Sequence, residues 1–149
     1  IRDLPNGQFL IYLVFIGAWV TDGAAYFVGR AMGKHKLIPD VSPKKTVEGA
    51  VGGVIFCGLS FALYGLIVGR FSSSTTHYIE IIIAGLIIAV ISEFGDLIAS
   101  LIKRHYGIKD YGTIFPGHGG VMDRFDSIIA IAPFLLMICA YPDLYALFV

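Results

Sequence analysis

Four long runs of apolar residues dominate the chain, and short polar segments separate them. The runs extend over about Gln8–Gly29, Val47–Gly69, Tyr78–Ile102 and Ser127–Val149, and each has 22 to 25 residues. A helix needs about 20 residues to cross a bilayer. Stretches such as Ile81–Ile83 do not alternate apolar and polar positions, as the strands of a membrane barrel would. The pattern therefore predicts an all-α, polytopic bundle of four transmembrane helices. A buried soluble core, the alternative, would rarely need four such runs.

Composition agrees with a membrane protein. Hydrophobic residues make up 56% of the 149 residues and charged residues 15%, against about 45–50% and 25% in average soluble domains. This excludes intrinsic disorder, and two cysteines inside apolar runs exclude a disulfide framework or zinc site. The sequence shows no internal repeat and no second domain, so we expect residues 1–149 to form one membrane-embedded domain. Because the chain opens at Ile1 instead of a methionine and shows no cleavable leader, we expect this domain to be the C-terminal part of a longer chain.

Positive charge is concentrated in two of the polar connections. If all four runs span, residues 30–46 and 103–126 lie on the same side, and they carry nine of the 11 basic residues. Arg2 and Arg70 are the basic residues of the other side. By the positive-inside rule, the basic connections are predicted to be cytoplasmic.

Three acidic residues, Asp22, Glu93 and Asp96, fall inside the apolar runs. Ionisable groups at membrane depth are costly and often mark functional sites. Glu93, Asp96 and Lys103 are spaced to share one helical face, which is predicted to face the bundle interior or a water-filled cavity. The alternative is a structural ion pair between helices, for instance of Asp96 with Arg104.

The second basic connection contains a glycine-rich turn followed by carboxylates. The turn is residues 116–120, Pro-Gly-His-Gly-Gly, and Asp123 and Asp126 follow on one helical face. Glycines let backbone N–H groups approach a ligand closely. Carboxylates beside such a turn and several cations indicate a hard metal ion with phosphates. Taken alone, the turn and its His118 would be an ordinary solvated loop.

The first basic connection carries a second candidate phosphate site. Lys44 and Lys45 can bind phosphate as point charges, and Ser42 or Thr46 can cap the second helix. Lys34 and Lys36 lie nearer the first helix, and we interpret them as positive charges that set the orientation of the helices in the membrane.

Residues 100–126 resemble the signature of the phosphatidate cytidylyltransferases, also called CDP-diacylglycerol synthases. Residues 42–49 and Asp22 on its helix also resemble elements of that family. The specified positions of the signature are all matched, at Ser100, Ile102, Lys103, Arg104, Lys109, Asp110, Gly112, Phe115, Pro116, His118, Gly119, Gly120, Val121, Asp123, Arg124, Phe125 and Asp126.

The resemblance implies an integral-membrane nucleotidyltransferase of phospholipid biosynthesis. Its reaction converts CTP and phosphatidic acid to CDP-diacylglycerol and pyrophosphate with one or more Mg²⁺ ions. The lipid phosphate would attack the α-phosphorus of CTP in line. The expected partners are CTP, phosphatidic acid and the lipid bilayer, with no nucleic acid and with a homodimer left open. The expected location is the bacterial inner membrane or its equivalent, with the active-site loops in the cytoplasm.

The resemblance also implies roles for individual residues. Asp96 and Asp123 are the first-choice metal ligands, and Asp126 and Glu93 are further candidates. His118, Gly119 and Gly120 would shape the loop over the triphosphate, with Ser42 and Thr46 also near the substrate, and Asp22 would be a supporting residue or further ligand. The basic candidates for catalysis and phosphate binding are Lys44, Lys45, Lys103, Arg104, Lys109 and Arg124.

Three rival hypotheses remain open at this stage. A CDP-alcohol phosphotransferase has a motif like the one at Asp22, but Tyr26 stands where that family has arginine. Asp123 and Asp126 are also three residues apart, where that family has four. A CTP-dependent polyisoprenol kinase is a second rival. A transporter that uses the buried acids as an ion path is the third, although transport does not require a lysine-rich glycine loop.

Overall fold

A computed structural model of the protein describes residues 7–71, 78–112 and 120–140. Four helices in these ranges confirm the predicted all-α class. The structure adds one element that the sequence analysis did not predict, an antiparallel hairpin within the first basic connection. In chain order, the elements are α1 (Gly7–Met32), β1 (Lys36–Ile38), β2 (Ser42–Thr46), α2 (Val47–Phe71), α3 (Tyr78–His105) and α4 (Met122–Ala140).

Three of these helices are long and apolar enough to cross a membrane. The qualifying stretches are Ile11–Met32, Val47–Arg70 and Ile79–His105. The fourth predicted run is described only as far as Ala140, with a shorter apolar stretch at Phe125–Met137. The remainder of that run lies outside the described residues, so its crossing of the membrane stays a prediction.

Close helix packing forms the interior of the bundle. Gly49 and Gly53 of α2 lie very close to α1. A Cβ added to Gly49 would lie 2.6 Å from the Ala25 carbonyl oxygen, and a Cβ added to Gly53 would lie 2.9 Å from the Thr21 carbonyl oxygen. Small residues let transmembrane backbones approach in this way. Fully buried Phe61, Ile88, Ile131 and Leu135 fill the space between the helices. Large apolar side chains such as Phe27 and Leu63 remain exposed on the outside, where lipid is a suitable solvent.

The hairpin is fixed to the start of α2. Thr46 caps this helix, because its Oγ1 accepts a hydrogen bond from the Gly49 N–H at 3.2 Å. The alternative cap, Ser42, instead begins β2. One residue into α2, the Glu48 carboxylate accepts hydrogen bonds from the backbone N–H groups of Lys34 and His35. The two ends of the hairpin are therefore held together, and β2 is positioned beside α1 and α2.

A glycine ends α3 and turns the chain toward α4. Gly107 has a positive φ of 68°, and its N–H donates to the Arg104 carbonyl while the Ile108 N–H donates to the Lys103 carbonyl. These two bonds form a Schellman motif, which satisfies the last carbonyls of the helix. Lys103 consequently lies in the last turn of α3, close to the first turn of α4.

Candidate active site

One polar cavity of about 500 Å³ lies where α1, the hairpin, α3 and α4 meet. Residues far apart in the sequence line it together, and nine of the fifteen lining residues are charged. Its acidic residues are Asp22, Glu93, Asp96, Asp123 and Asp126, and its basic residues are Arg30, Lys36, Lys44 and Lys45. All five acids that the sequence analysis singled out therefore share one site.

The Lys45 cluster consists of Lys45, Glu93 and Asp96, and it joins β2 to α3. The Lys45 Nζ lies 2.5 Å from Glu93 Oε2 and 2.7 Å from Asp96 Oδ2. Burial alone would lower the pKa of Lys45, but the neighbouring carboxylates of Asp96 and Glu93 outweigh it and raise that pKa. The ammonium is therefore held in its charged form. The ion pair of Asp96 with Arg104, given as an example of the structural alternative, is wrong. Asp96 pairs with Lys45, and Arg104 donates to the Val41 and Ile108 carbonyls.

Glu93 is the most enclosed carboxylate of this cluster. Its side chain is 9% exposed, against 25% for Asp96. One oxygen, Oε2, accepts from Lys45. The other, Oε1, is buried without a hydrogen-bond partner among the described residues. An unsatisfied buried carboxylate oxygen is costly, and it indicates a place where a ligand or cation can bind.

The Lys103 cluster consists of Lys103, Asp123 and Asp126, and it joins the end of α3 to the start of α4. The Lys103 Nζ lies 2.8 Å from Asp123 Oδ1 and 3.8 Å from Asp126 Oδ2. All three side chains are about nine-tenths buried. Lys103 lies behind the two aspartates, which themselves line the cavity.

Asp123 also holds two separate parts of the second basic connection. Its Oδ2 accepts hydrogen bonds from the backbone N–H groups of Tyr111 at 2.8 Å and Gly120 at 2.9 Å. Burial raises the pKa of Asp123, but these N–H groups and Lys103 outweigh it and lower that pKa below its ordinary value. Asp123 therefore stays ionised and joins the chain on both sides of residues 113–119.

Tyr111 supports the same cluster from the side. Its ring centroid lies 5.1 Å from the Lys103 Nζ, and its hydroxyl donates to the Ala99 carbonyl at 3.2 Å. Sequence reasoning missed Tyr111, which occupies an unspecified position of the matched signature. The only sequence signal for Tyr111 was its neighbour Asp110, which stands at a specified position of the signature.

Asp22 connects α1 to these acids. The Ser127 hydroxyl donates to Asp22 Oδ2 at 3.2 Å, and the Ser127 backbone N–H donates to Asp126 Oδ1. Asp96 interacts electrostatically with both Asp22 and Asp126 as a like charge. Three carboxyl groups, those of Asp22, Asp96 and Asp126, thus lie close together where α1, α3 and α4 approach each other.

The carboxylates fit a magnesium ion that is bound together with phosphates. Within residues 7–71, 78–112 and 120–140, no three acidic, histidine or cysteine side chains converge closely enough to hold a metal by themselves. Mg²⁺ in nucleotide enzymes commonly takes one or two carboxylates, with phosphates and water completing its shell. The like-charged Asp96 and Asp126 provide such a pair. Within the described residues, three of the four acceptor positions of Asp123 are used, which leaves one for a cation.

The other predicted site residues are placed as follows. Lys44 and Thr46 line the cavity, and Gly120 is buried beside Asp123. Ser42 is half-buried at the start of β2, and Arg104 and Lys109 are exposed away from the cavity lining. His118, Gly119 and the side chain of Arg124 lie outside the described residues. Two basic residues that the sequence analysis did not select, Arg30 and Lys36, do line the cavity.

An apolar groove of about 410 Å³ adjoins the polar cavity between the hairpin, α2 and α3. Ala50 and Glu93 line both spaces, so the unsatisfied carboxylate of Glu93 lies at their junction. Apolar side chains on a membrane helix gave no sequence signal for this groove. The remaining lining residues are Leu37, Ile38, Val51, Val54, Ile55, Val90, Phe94 and Leu97.

Comparison with known proteins adds an independent finding. The model of the cytidylyltransferase family matches residues 1–142. The chain is 41% identical over 141 residues to a phosphatidate cytidylyltransferase of Bacillus subtilis (strain 168), covering 94% of this chain and 51% of that protein. It is 46% identical over 130 residues to one of Staphylococcus saprophyticus, covering 87% and 48%. The chain thus spans about half the length of the curated relatives it matches.

Proposed function

The chain belongs to the cytidylyltransferase family, and from this we propose that it makes CDP-diacylglycerol and pyrophosphate from CTP and phosphatidic acid. The observation that carries the proposal is the junction of the charged cavity with the apolar groove at Glu93. The reaction requires a site where the phosphate of a lipid and a nucleoside triphosphate can meet. The polar cavity suits both phosphates, and the adjoining groove suits an acyl chain.

The proposed reaction is an in-line displacement at the α-phosphorus of CTP. An oxygen of the phosphatidate phosphate forms the new P–O bond, the bond from the α-phosphorus to the bridging oxygen breaks, and pyrophosphate leaves with that electron pair. Positioning and charge stabilisation account for most of the catalysis in such transfers. Lys44 and Arg30 on the cavity wall would bind phosphate oxygens and offset the charge of pyrophosphate.

Magnesium is the expected cofactor. Asp96, Asp123, Asp126 and Glu93 are the residues that would hold it, and its positive charge would offset that of the triphosphate. The charge distribution of the connections further supports a cytoplasmic position for the hairpin and the second basic connection.

Turnover by the full-length protein in detergent tests this function. Phosphatidic acid and CTP labelled at the α-phosphorus should give a labelled lipid, and chelation of divalent cations with EDTA should abolish it. Asp96→Asn should remove activity, and the matched control is Asp40→Asn, at an exposed aspartate outside the cavity lining and outside the signature. A lipid product without cytidine, or full activity in EDTA, would contradict the proposal.

A further inference from the structure

The ammonium of Lys45 lies between the carboxylates of Glu93 and Asp96 and pairs with both of them. Its Nζ contacts Glu93 Oε2 at 2.5 Å and Asp96 Oδ2 at 2.7 Å. The lysine belongs to the hairpin and both acids belong to α3, and the contacts between these two elements are made by the side chains. The Lys45 side chain is 18% exposed and that of Asp96 25% exposed, and all three residues line the polar cavity.

Carboxylate oxygens are also the ligands that a hard divalent cation prefers. A dication that binds Asp96 or Glu93 meets the positive charge of Lys45 at contact distance, where like charges repel strongly at the low dielectric of a partly buried site. The ammonium and the dication therefore compete for these two carboxylates, because binding of either one weakens binding of the other.

We propose that Lys45 is a tethered counter-ion that occupies the Glu93–Asp96 pair until a divalent cation displaces it. The released ammonium is then free to contact a phosphate-bearing ligand in the same cavity. Lys45 acts here as a positioning residue, because it holds the two acids together while the cation is absent. The inference rests on the divalent-cation site of the proposed function.

Lys44 provides a matched control beside Lys45 on the same strand. Lys44 lines the same cavity and carries the same charge, but none of the ion pairs among the described residues includes it. Replacing either lysine removes one positive charge near the acids. Only the Lys45 replacement removes a competitor from the carboxylate oxygens.

The first test measures Mn²⁺ binding to the full-length protein in detergent, without nucleotide or lipid. The electron paramagnetic resonance signal of free Mn²⁺ gives the Kd for the wild type, Lys45→Met and Lys44→Met. We expect Lys45→Met to bind Mn²⁺ about fivefold or more tightly than the wild type, since an ion pair of about 1 kcal/mol no longer competes. Lys44→Met should change the Kd less than about twofold, as expected for a charge that is largely screened. Unchanged or weaker binding by Lys45→Met would overturn the proposal.

A second test uses the wild-type protein, so that it does not depend on the folding of a variant. Reductive methylation with formaldehyde, read residue by residue by mass spectrometry, reports how freely each lysine amine reacts. Saturating Mn²⁺ should increase the methylation rate of Lys45 by about threefold or more, because displacement frees its amine from the ion pairs. Lys44 should react equally with and without Mn²⁺. An equal or lower rate at Lys45 with Mn²⁺ would refute the displacement.

Mn²⁺ binding to Asp96→Asn distinguishes a failure of the proposed cation site from a failure of the proposed competition by Lys45. If Mn²⁺ binds this variant as tightly as the wild type, the cation site of the proposed function is wrong and the Lys45 proposal falls with it. If Asp96→Asn abolishes Mn²⁺ binding but Lys45→Met does not tighten it, only the competition is rejected. If Asp96→Asn weakens binding and Lys45→Met strengthens it, both proposals are supported.

Discussion

The Lys45 and Lys103 clusters have the same composition but different surroundings. Each is one lysine between two carboxylates, and both sets of acids line the same cavity. Lys103 and its partners are about nine-tenths buried, whereas the Lys45 cluster is open at Asp96, which is 25% exposed. The comparison shows that burial and further hydrogen bonds, more than the charges themselves, decide what such a cluster can do.

The additional bonds of the Lys103 cluster are made to the backbone. Asp123 binds the N–H groups of Tyr111 and Gly120, so this cluster fixes the shape of the chain around the second basic connection. Glu93 in the Lys45 cluster has the opposite property, an unsatisfied oxygen. We therefore interpret the Lys103 cluster as the rigid part of the site, in which Asp123 and Asp126 are held in position for the cation, and the Lys45 cluster as the part that exchanges its ammonium for a dication.

The largest expected effect is that of Asp96→Asn on turnover. This change keeps the size of the side chain but removes the charge that faces Lys45 and the cation, so kcat should fall by about 100-fold or more. Initial rates over a Mg²⁺ titration measure it. Because Asp96 and Asp123 are expected to serve one cation centre, the double variant Asp96→Asn/Asp123→Asn should be scarcely slower than either single variant. Near-wild-type rates with unchanged Mg²⁺ dependence would reject the site.

Stability should distinguish the two lysines clearly. Lys103→Met leaves Asp123 and Asp126 buried without their cation and should lower the free energy of unfolding by roughly 3–5 kcal/mol. Lys45→Met opens a cluster that water can reach and should cost less than about 2 kcal/mol. Unfolding in mixed micelles measures both, with the exposed Lys109→Met as control, expected within about 0.5 kcal/mol of the wild type. Equal losses for Lys45→Met and Lys103→Met would remove the distinction between the clusters.

The two clusters should also lose their contributions to the free energy of unfolding at opposite ends of the pH scale. The folded-state pKa of Asp123 is below its ordinary value of 3.8, so its stabilisation is complete above about pH 4 and is lost as the pH falls through the folded value. The pKa of Lys45 is above its ordinary value of 10.5, so its stabilisation is complete below about pH 10 and is lost as the pH rises through the folded value.

Melting temperatures across pH test this contrast. The difference between the wild type and Asp123→Asn should shrink in acid, and the difference between the wild type and Lys45→Met should shrink in alkali. A gap for Asp123→Asn that stays constant from neutral pH down to about pH 2 would show that this carboxylate gains nothing from its partners.

The smallest expected effect is that of Lys44→Ala. Lys44 is exposed on the cavity wall and outside both clusters, so its loss should leave folding unchanged. A single solvent-exposed charge contact to phosphate is worth about 1 kcal/mol, which corresponds to a rise in the KM for CTP of about fivefold. Steady-state kinetics at saturating lipid measure it. A fall in kcat as large as that of Asp96→Asn would place Lys44 in the same role as the acids.

The positions of the helices and the set of charged groups near the site could be predicted from the amino-acid sequence alone. Long apolar runs form helices in a membrane because each backbone group must be satisfied within its own segment, and this signal is local. The shared face of Glu93, Asp96 and Lys103 follows in the same way from helical periodicity. The sequence also gives two candidate caps for α2, Ser42 and Thr46, and the structure shows that Thr46 is the cap.

The pairing of those charges was decided by the tertiary structure. Nothing in the sequence separates Lys44 from Lys45, because adjacent lysines in a polar connection have the same local properties. Only the register of an unpredicted hairpin brings Lys45 to Glu93, which lies 48 residues away. The assignment of Lys103 to Asp123 and the meeting of the apolar groove with the cavity at Glu93 have the same origin. Contacts between distant segments depend on how the helices pack, and that packing sums many weak interactions that no short stretch of sequence contains.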